Sequence, residues 1–436
     1  MKSIAKKFQI DFTDEAITAS GGSIFLQAMA EKLGLREKLR GALRLKQRRR
    51  GASDEEMLLS LIYSLAQSDG NLVDVDRLRV DEARRQMLGL EQVPDSRRLG
   101  EYLFKFDPEA VERLREVARE LATSVGQQVA EAEQGAGGFA PVFIDGTAVE
   151  VSGQYFEGAK AGYNDQPQYW LHSVFVGRLW ASQRLQPGGV GVTLGWREQL
   201  QEVEPLLRGR QVWLRADNAY YNRQVVDYCR QRGWDYSISV THEKFKKPLR
   251  EEVRSLSQDD WQWINDDRTE EAAIIYHQPH GWKALESYVV VRSWWDGAQR
   301  RLYPRYIFIL VSRTDLELAE LVRRHRGKQG QENAQKGPLI DLDLHHPPCS
   351  LLCANQAFYT AAQIAQILLC AVQYNILPEA ARCHGIRTII RDLVRAPARL
   401  VRHGRGWIVR FAKTVLRLDW LVYAAFRLDE LCAAPS

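Results

Sequence analysis

The 436-residue chain has no long apolar run. Its most apolar helical stretch, Ile364 to Leu377, is broken by Gln366, Gln373 and Asn375. It falls short of the roughly 20 residues that span a bilayer, so a buried helix is expected and no membrane partner. Cysteine is scarce. Six residues (Cys229, Cys349, Cys353, Cys370, Cys383, Cys432) are scattered without a disulfide framework, which predicts a reduced, cytoplasmic setting. The start, Met1 to Lys7, leads into Phe8-Gln9-Ile10-Asp11 without the apolar core of a secretory leader. His345, His346, Cys349 and Cys353 lack the spacing of a zinc finger, and Pro347-Pro348 between them reads as a turn. A large excess of charge is missing too: the net charge is +5, which excludes a polybasic tail protein.

What the chain does have is basic charge in two dense stretches. Arg36 to Arg50 carries eight cations, among them Arg48, Arg49 and Arg50, against the single acid Glu37. Arg382 to Arg417 carries ten against Asp392 alone, and Arg387, Arg391, Arg395 and Arg399 recur every fourth residue, although Pro397 interrupts a helix there. Such stretches suit a polyanionic partner, although a basic stripe is often only a solvated face.

Periodicity divides the chain. Residues 1–135 read as helical, with Glu55 to Ala66 and Pro108 to Val129 the clearest helices and Gln134 to Gly138 a glycine-rich boundary. Residues 139–240 alternate strands and helices: Ala140–Ile144, Tyr169–Leu179, Val212–Ala216 and Asp235–Val240 read as strands, Glu198–Leu207 and Asn222–Arg232 as helices. That order predicts an α/β layer with a mixed sheet. Residues 241–314 form a β-rich insertion, residues 315–380 return to helix, and residues 381–436 form a basic helical region.

Three acids stand out in this frame. Asp145 closes Pro141-Val142-Phe143-Ile144 and precedes Gly146-Thr147, while Asp217 closes Val212 to Ala216 and precedes Asn218-Ala219-Tyr220-Tyr221. Glu332 sits in the polar helical stretch Arg323 to Lys336. An acid closing a strand is often only a turn residue or a cap. Two at the carboxyl ends of sheet strands lie where α/β sheets place their sites. With a third from a later helix they supply hard oxygen ligands suited to Mg²⁺ and phosphate chemistry. Lys328, Glu332 and Lys336 are four apart and share one helix face, either toward phosphates or in plain Glu–Lys pairs.

Phe143-Ile144-Asp145-Gly146-Thr147 and Leu214 to Tyr221 resemble the first two blocks of the cut-and-paste DDE insertion-sequence transposases. Arg326 to Asn333, His346-Pro347-Pro348-Cys349 and Ala354-Asn355 follow in that family's order, and Asp74 to Asp81 and Gln154 to Asn164 also fit. Nearly the whole chain is covered, and the group most similar is that typified by insertion sequence thirteen-eighty. The resemblance implies an RNase H-like core holding two Mg²⁺ ions (Mn²⁺ being the alternative) on Asp145, Asp217 and Glu332. It also implies a bacterial, nucleoid-associated enzyme that binds terminal repeats and target DNA as a homodimer. Arg326, Lys328 and Lys336, Arg48, Arg49 and Arg50, Arg387, Arg391, Arg395 and Arg399, and Trp294 and Trp295 in the insertion are the expected DNA contacts. One departure is clear: where the wider superfamily often has Tyr and Arg before the glutamate and a later Lys, this chain has His325, Lys328 and Lys336. Two alternatives stay open, a catalytically silent DNA-binding derivative and a metal-dependent nuclease without strand transfer.

Overall fold

The computed structural model describes residues 12–46, 50–153, 155–162, 165–296, 299–327 and 337–433. Its N-terminal third is helical, as the periodicity predicts. Helix α1 (Ser23–Lys32) is followed by α2 (Asp54–Leu65), which opens on a capping box. There the Ser53 hydroxyl accepts from the Glu56 amide and the Glu56 carboxylate accepts from the Ser53 amide. Helix α3 (Pro108–Gly137) starts with proline at its first position, capped by Asp107, and runs 30 residues. The glycine-rich stretch expected to end a domain is the last turn of this helix, closed by Gly138 at φ +75°.

A ten-stranded mixed sheet follows. Strands β1 (Ala140–Glu150), β2 (Pro167–Val176) and β3 (Leu179–Pro187) form an antiparallel meander. Helix α4 (Trp196–Val203) leads to β4 (Val212–Ala216), and α5 (Arg223–Arg232) leads to β5 (Asp235–Val240). Strand β4 lies parallel to both β1 and β5. Only parallel pairs need such helical crossovers, so the helix positions and the strand directions agree.

The β-rich insertion begins with helix α6 (Glu243–Arg254) and continues as β6 (Glu270–His277), β7 (Glu286–Asp296) and β8 (Gln299–Val311). These three strands extend the same sheet, because β8 pairs with β5 through Phe308 opposite Val240. Helix α7 (Leu318–Arg326) covers one face of this extension with Leu318, Leu321 and Val322.

Helix α8 (Leu352–Asn375) is the axis of the molecule, buried along nearly its whole length against α2, α3 and β3. The glutamines that keep it from being a membrane span have structural partners. Strand β3 is a sheet edge, and an edge leaves a row of backbone groups unpaired. Gln366 accepts from the Trp180 amide at 2.9 Å and donates to the Arg178 carbonyl at 2.7 Å. Gln363 donates to the Trp180 and Ala181 carbonyls, and Gln356 to Leu185. Amide side chains thus satisfy a buried edge inside an apolar core. Among the described residues no helix is long and apolar enough to cross a membrane.

The C-terminal region corrects one expectation: it is not helical throughout. Strands β9 (Ala398–His403) and β10 (Gly406–Phe411) form a hairpin, paired through β9 to a short strand at Ile17–Thr18, before helix α9 (Leu418–Ala433) closes the fold.

Candidate active site

The register of β1 and β4 decides the geometry. Their last parallel partners are Ile144 and Ala216, so Asp145 and Asp217 are the next residues on adjacent strands. Neighbouring strands lie about 4.8 Å apart, which brings the two carboxylates to one place at the carboxyl ends of the strands. The strands then part. β1 continues past Asp145, with Gly146 opposite His172 on β2, whereas Asp217 caps a short 3₁₀ turn and accepts from the Ala219 amide at 2.9 Å. Gly146 is required here. A Cβ would stand 2.4 Å from Val192 Cγ2, so only glycine lets the loop around Val192 lie over the strand beside Asp145.

The residues after Asp217 each hold the site in a different way. Asn218 Oδ1 accepts from the Thr241 amide at 2.8 Å and the His242 amide at 3.2 Å, tying the turn to the end of β5. Tyr221 stacks in a cluster with Phe245, Trp282 and Tyr288, and Asn222 caps α5 through the Val225 amide. Tyr220 is fully buried; burial first, and then the charges of Asp145 and Asp217, push its phenol well above the ordinary value. Both acids therefore face the same hydroxyl.

That hydroxyl begins a polar chain running under the sheet end. Tyr220 Oη meets His172 Nε2, and His172 Nδ1 meets Gln199 Oε1. The Gln199 amide nitrogen donates to the His172 carbonyl and to Ser182 Oγ, both at 3.2 Å. Ser182 donates to Glu202 at 2.6 Å, and Arg184 closes the chain on Glu202 at 2.5 Å. The donors fix the tautomer: Gln199 spends its nitrogen elsewhere, so its oxygen accepts from His172 Nδ1–H, and His172 Nε2 accepts from Tyr220. Burial pulls the imidazole below its ordinary value, keeping it neutral. Sequence reasoning missed His172, Gln199 and the separate role of Tyr220; the available signal was one histidine, beside Ser173, in the mostly apolar strand Leu171 to Val176.

Helix α7 lies across the sheet, with Arg324 near the amino ends of β1 and β4 and His325 near the carboxyl end of β5. The Arg324 guanidinium lies over the Phe139 ring at 4.2 Å and the Trp213 ring at 5.4 Å, and His325 Nε2 meets Ser239 Oγ at 2.9 Å. At Gly327 a Cβ would stand 3.0 Å from Arg215 Nη1, two residues before Asp217. Burial, and then neighbouring Arg324, lower the Arg215 guanidinium to about 10. Glu332, Lys328 and Lys336 lie outside the described residues, as do Arg48 and Arg49. Among the described residues no three His, Cys, Asp or Glu side chains cluster to hold a metal. The pair itself fits a hard divalent cation by the chemistry of its donors, two carboxylates converging over one buried phenol.

The expected DNA contacts fall into distinct settings. Arg326 forms a bidentate pair with Glu270. Arg391 is bidentate to Asp392, Arg395 reaches buried Asp69 at 3.1 Å, and Arg399 pairs with Glu15 at 2.9 Å. Arg387 neighbours Asp341. Arg50 lies on the rim of a cleft of about 440 Å³ shared with Lys46, Arg98 and Lys105. Trp294 and Trp295 lie near the far end of β7, where a bulge between Ser293 and Trp295 shifts the register and Trp295 is exposed.

Comparison with protein families matches residues 2–433 to the model of the transposase DDE domain, group 1. The chain belongs to this DDE transposase family. Among curated proteins none matches. Among solved structures, the transposase is similar to a piggyBac transposase seen by cryo-EM in a synaptic complex with hairpin DNA. The identity is 11% and the TM-score 0.42, covering 95% of this chain and 80% of that one.

Proposed function

We propose that this transposase cuts DNA at the ends of an insertion sequence and joins the freed ends to target DNA, with Asp145, Asp217 and Glu332 as its catalytic acids. The observation that carries the reading is the placement of Asp145 and Asp217 side by side where the parallel ladder of β1 and β4 ends. The strand order β3-β2-β1-β4-β5, with β1, β4 and β5 parallel, supports an RNase H-like core. The order of the motif blocks supports the group typified by insertion sequence thirteen-eighty.

The three acids would hold two Mg²⁺ ions. When bound, these supply Lewis-acid stabilisation of the attacking and leaving oxygens of an in-line phosphoryl transfer. The protein's own part is orientation. Asn218 fixes the turn that presents Asp217, and the β1–β2 ladder fixes Asp145. Tyr220, held by neutral His172, gives the two carboxylates a rigid floor. The described residues on either side of Glu332 support its assignment as the third acid. Gly327 abuts Arg215, while Leu339, His345 and His346 line a cavity of about 470 Å³ with Ala148, Val149 and Glu150 of β1. Two DNA ends must be handled together, so the working form is a homodimer on DNA.

The test is purified protein with labelled duplex carrying the element's terminal repeats, in Mg²⁺ and in EDTA. Asp145→Asn, Asp217→Asn and Glu332→Gln should each cut cleavage by about a thousandfold or more while sparing end binding. Normal cleavage by all three variants sinks the assignment. Repeat-specific binding without cutting by the unaltered protein replaces it with a silent DNA-binding derivative.

A further inference from the structure

We infer that the β9–β10 hairpin is a duplex-DNA contact, engaging the phosphate backbone through Arg402, Arg405, Arg410 and Lys413. This rests on the reading of the chain as a DNA transposase, and names the element that meets the polyanion.

The base of the hairpin is structural. Ala398 and Leu400 are buried, and Phe411 stacks on Phe25 of α1 at 6.4 Å. Beyond that root the ribbon turns through Gly404, at φ +58°, and its end faces solvent. Arg402, His403, Arg405, Trp407, Ile408 and Arg410 are all exposed, with Arg402 directly across from Trp407. Residues 398 to 417 contain six cations and no acid.

The ribbon differs from the helical surfaces, where many arginines are paired. Arg113, Arg119, Arg250, Arg254 and Arg323 each carry a carboxylate partner three to seven residues away. Among the described residues Arg402, Arg405, Arg410 and Lys413 have none. Arg402 and Arg405 near the turn, Arg410 opposite Arg399 on β10, and Lys413 just past that strand raise the local potential and await an external anion. A two-stranded ribbon also has the width to enter a major groove.

A second copy of this chain is the competing occupant, because β10 has an open edge and exposed Trp407 and Ile408. Charge argues against it. Pairing two copies along that edge would set like charges side by side, and edge cations ordinarily prevent such pairing.

The experiment compares full-length protein with the triple variant Arg402→Ala/Arg405→Ala/Arg410→Ala. Binding is measured by fluorescence anisotropy, on labelled duplex with the terminal repeat and on a scrambled duplex, across a salt series. Each phosphate contact contributes about 0.9 to the slope of log K against log salt, so the slope should fall by about 2.7. Affinity for both duplexes should drop by a similar factor, about ten- to a hundredfold at low salt. A control removing three ion-paired cations elsewhere, Arg97→Ala/Arg254→Ala/Arg427→Ala, should leave the slope in place. An unchanged slope in the hairpin variant, or an equal loss in the control, overturns the hairpin assignment and leaves the transposase reading standing. Loss of dimer mass by light scattering with an unchanged slope assigns the edge to a second copy and also overturns it. Failure of the unaltered protein to bind either duplex overturns the DNA reading itself.

Discussion

The arginine-rich stretch near the C-terminus divides into two halves with opposite fates. In the first, Arg391, Arg395 and Arg399 turn to carboxylates of the protein itself, and Arg395 reaches across 326 residues to Asp69. In the second, Arg402, Arg405, Arg410 and Lys413 turn outward and pair with nothing among the described residues. Each half carries five cations, and the first also holds Asp392. An arginine's role is thus set by whether the fold brings an acid to it, and that acid need not be near in sequence. The inward half helps fasten the C-terminal region to the N-terminal helices; the outward half is left for a ligand.

The contrast can be broken most forcefully at its anchor. Burial pushes the Asp69 carboxyl up and the Arg84 guanidinium down, to about 10, so each depends on the other, and Asp69 on Arg395 as well. Asp69→Ala leaves Arg84, only 4% exposed, without its carboxylate, and should cost about 3 kcal/mol in urea unfolding. A cost below about 1 kcal/mol would mean that the inward half is not a fastening.

A second inward base, His172, gives a pH signature. Its folded-state value lies below the unfolded 6.5, so the unfolded chain takes up the proton first. Its contribution is therefore full above pH 6.5 and is lost as pH falls from there through the folded value, at no more than about 1.4 kcal/mol per pH unit. His172→Gln should flatten that part of the stability profile; parallel profiles for the two proteins would refute a buried neutral imidazole.

The smallest effects sharpen the comparison directly. Arg395→Ala should cost about 1 kcal/mol, because its side chain is 44% exposed and solvent screens the pair. Arg402→Ala should change stability by less than about 0.5 kcal/mol. Equal destabilisation by both would erase the distinction between the halves.

Much of the sheet around the candidate site was legible in the sequence. Val212–Ala216 and Asp235–Val240 appear with the bounds their apolar runs predict, because they are short strands inside the sheet. β1 runs on past Ile144 to Glu150, which was not readable. Its second half is held by antiparallel pairing with β2, and Gly146-Thr147 carries no apolar signal. The Tyr220–His172–Gln199 chain was hidden for another reason: its links join residues 48 and 27 apart, a matter of strand register. The hairpin was misread because the arginines recurring every fourth residue up to Arg399, helical in fact over Ile386–Val394, suggested that the helix continued. Gly404-Arg405-Gly406 between the β-branched Val401 and Ile408 was the competing turn signal. The glycine run at 135–138 misled in the opposite sense, since packing of α3 along α8 carries the helix through residues of poor helical propensity.

The central position of α8 bears on how the protein is made. The N-terminal helices and the edge strand β3 pack on a helix that ends at Asn375, so their core is incomplete until that residue has left the ribosome. At about 5–20 residues per second this leaves apolar faces uncovered for roughly 20 seconds or longer. A product terminated before Leu352 would expose those faces and an open strand edge, and would go to chaperones and proteases rather than accumulate beside the finished protein.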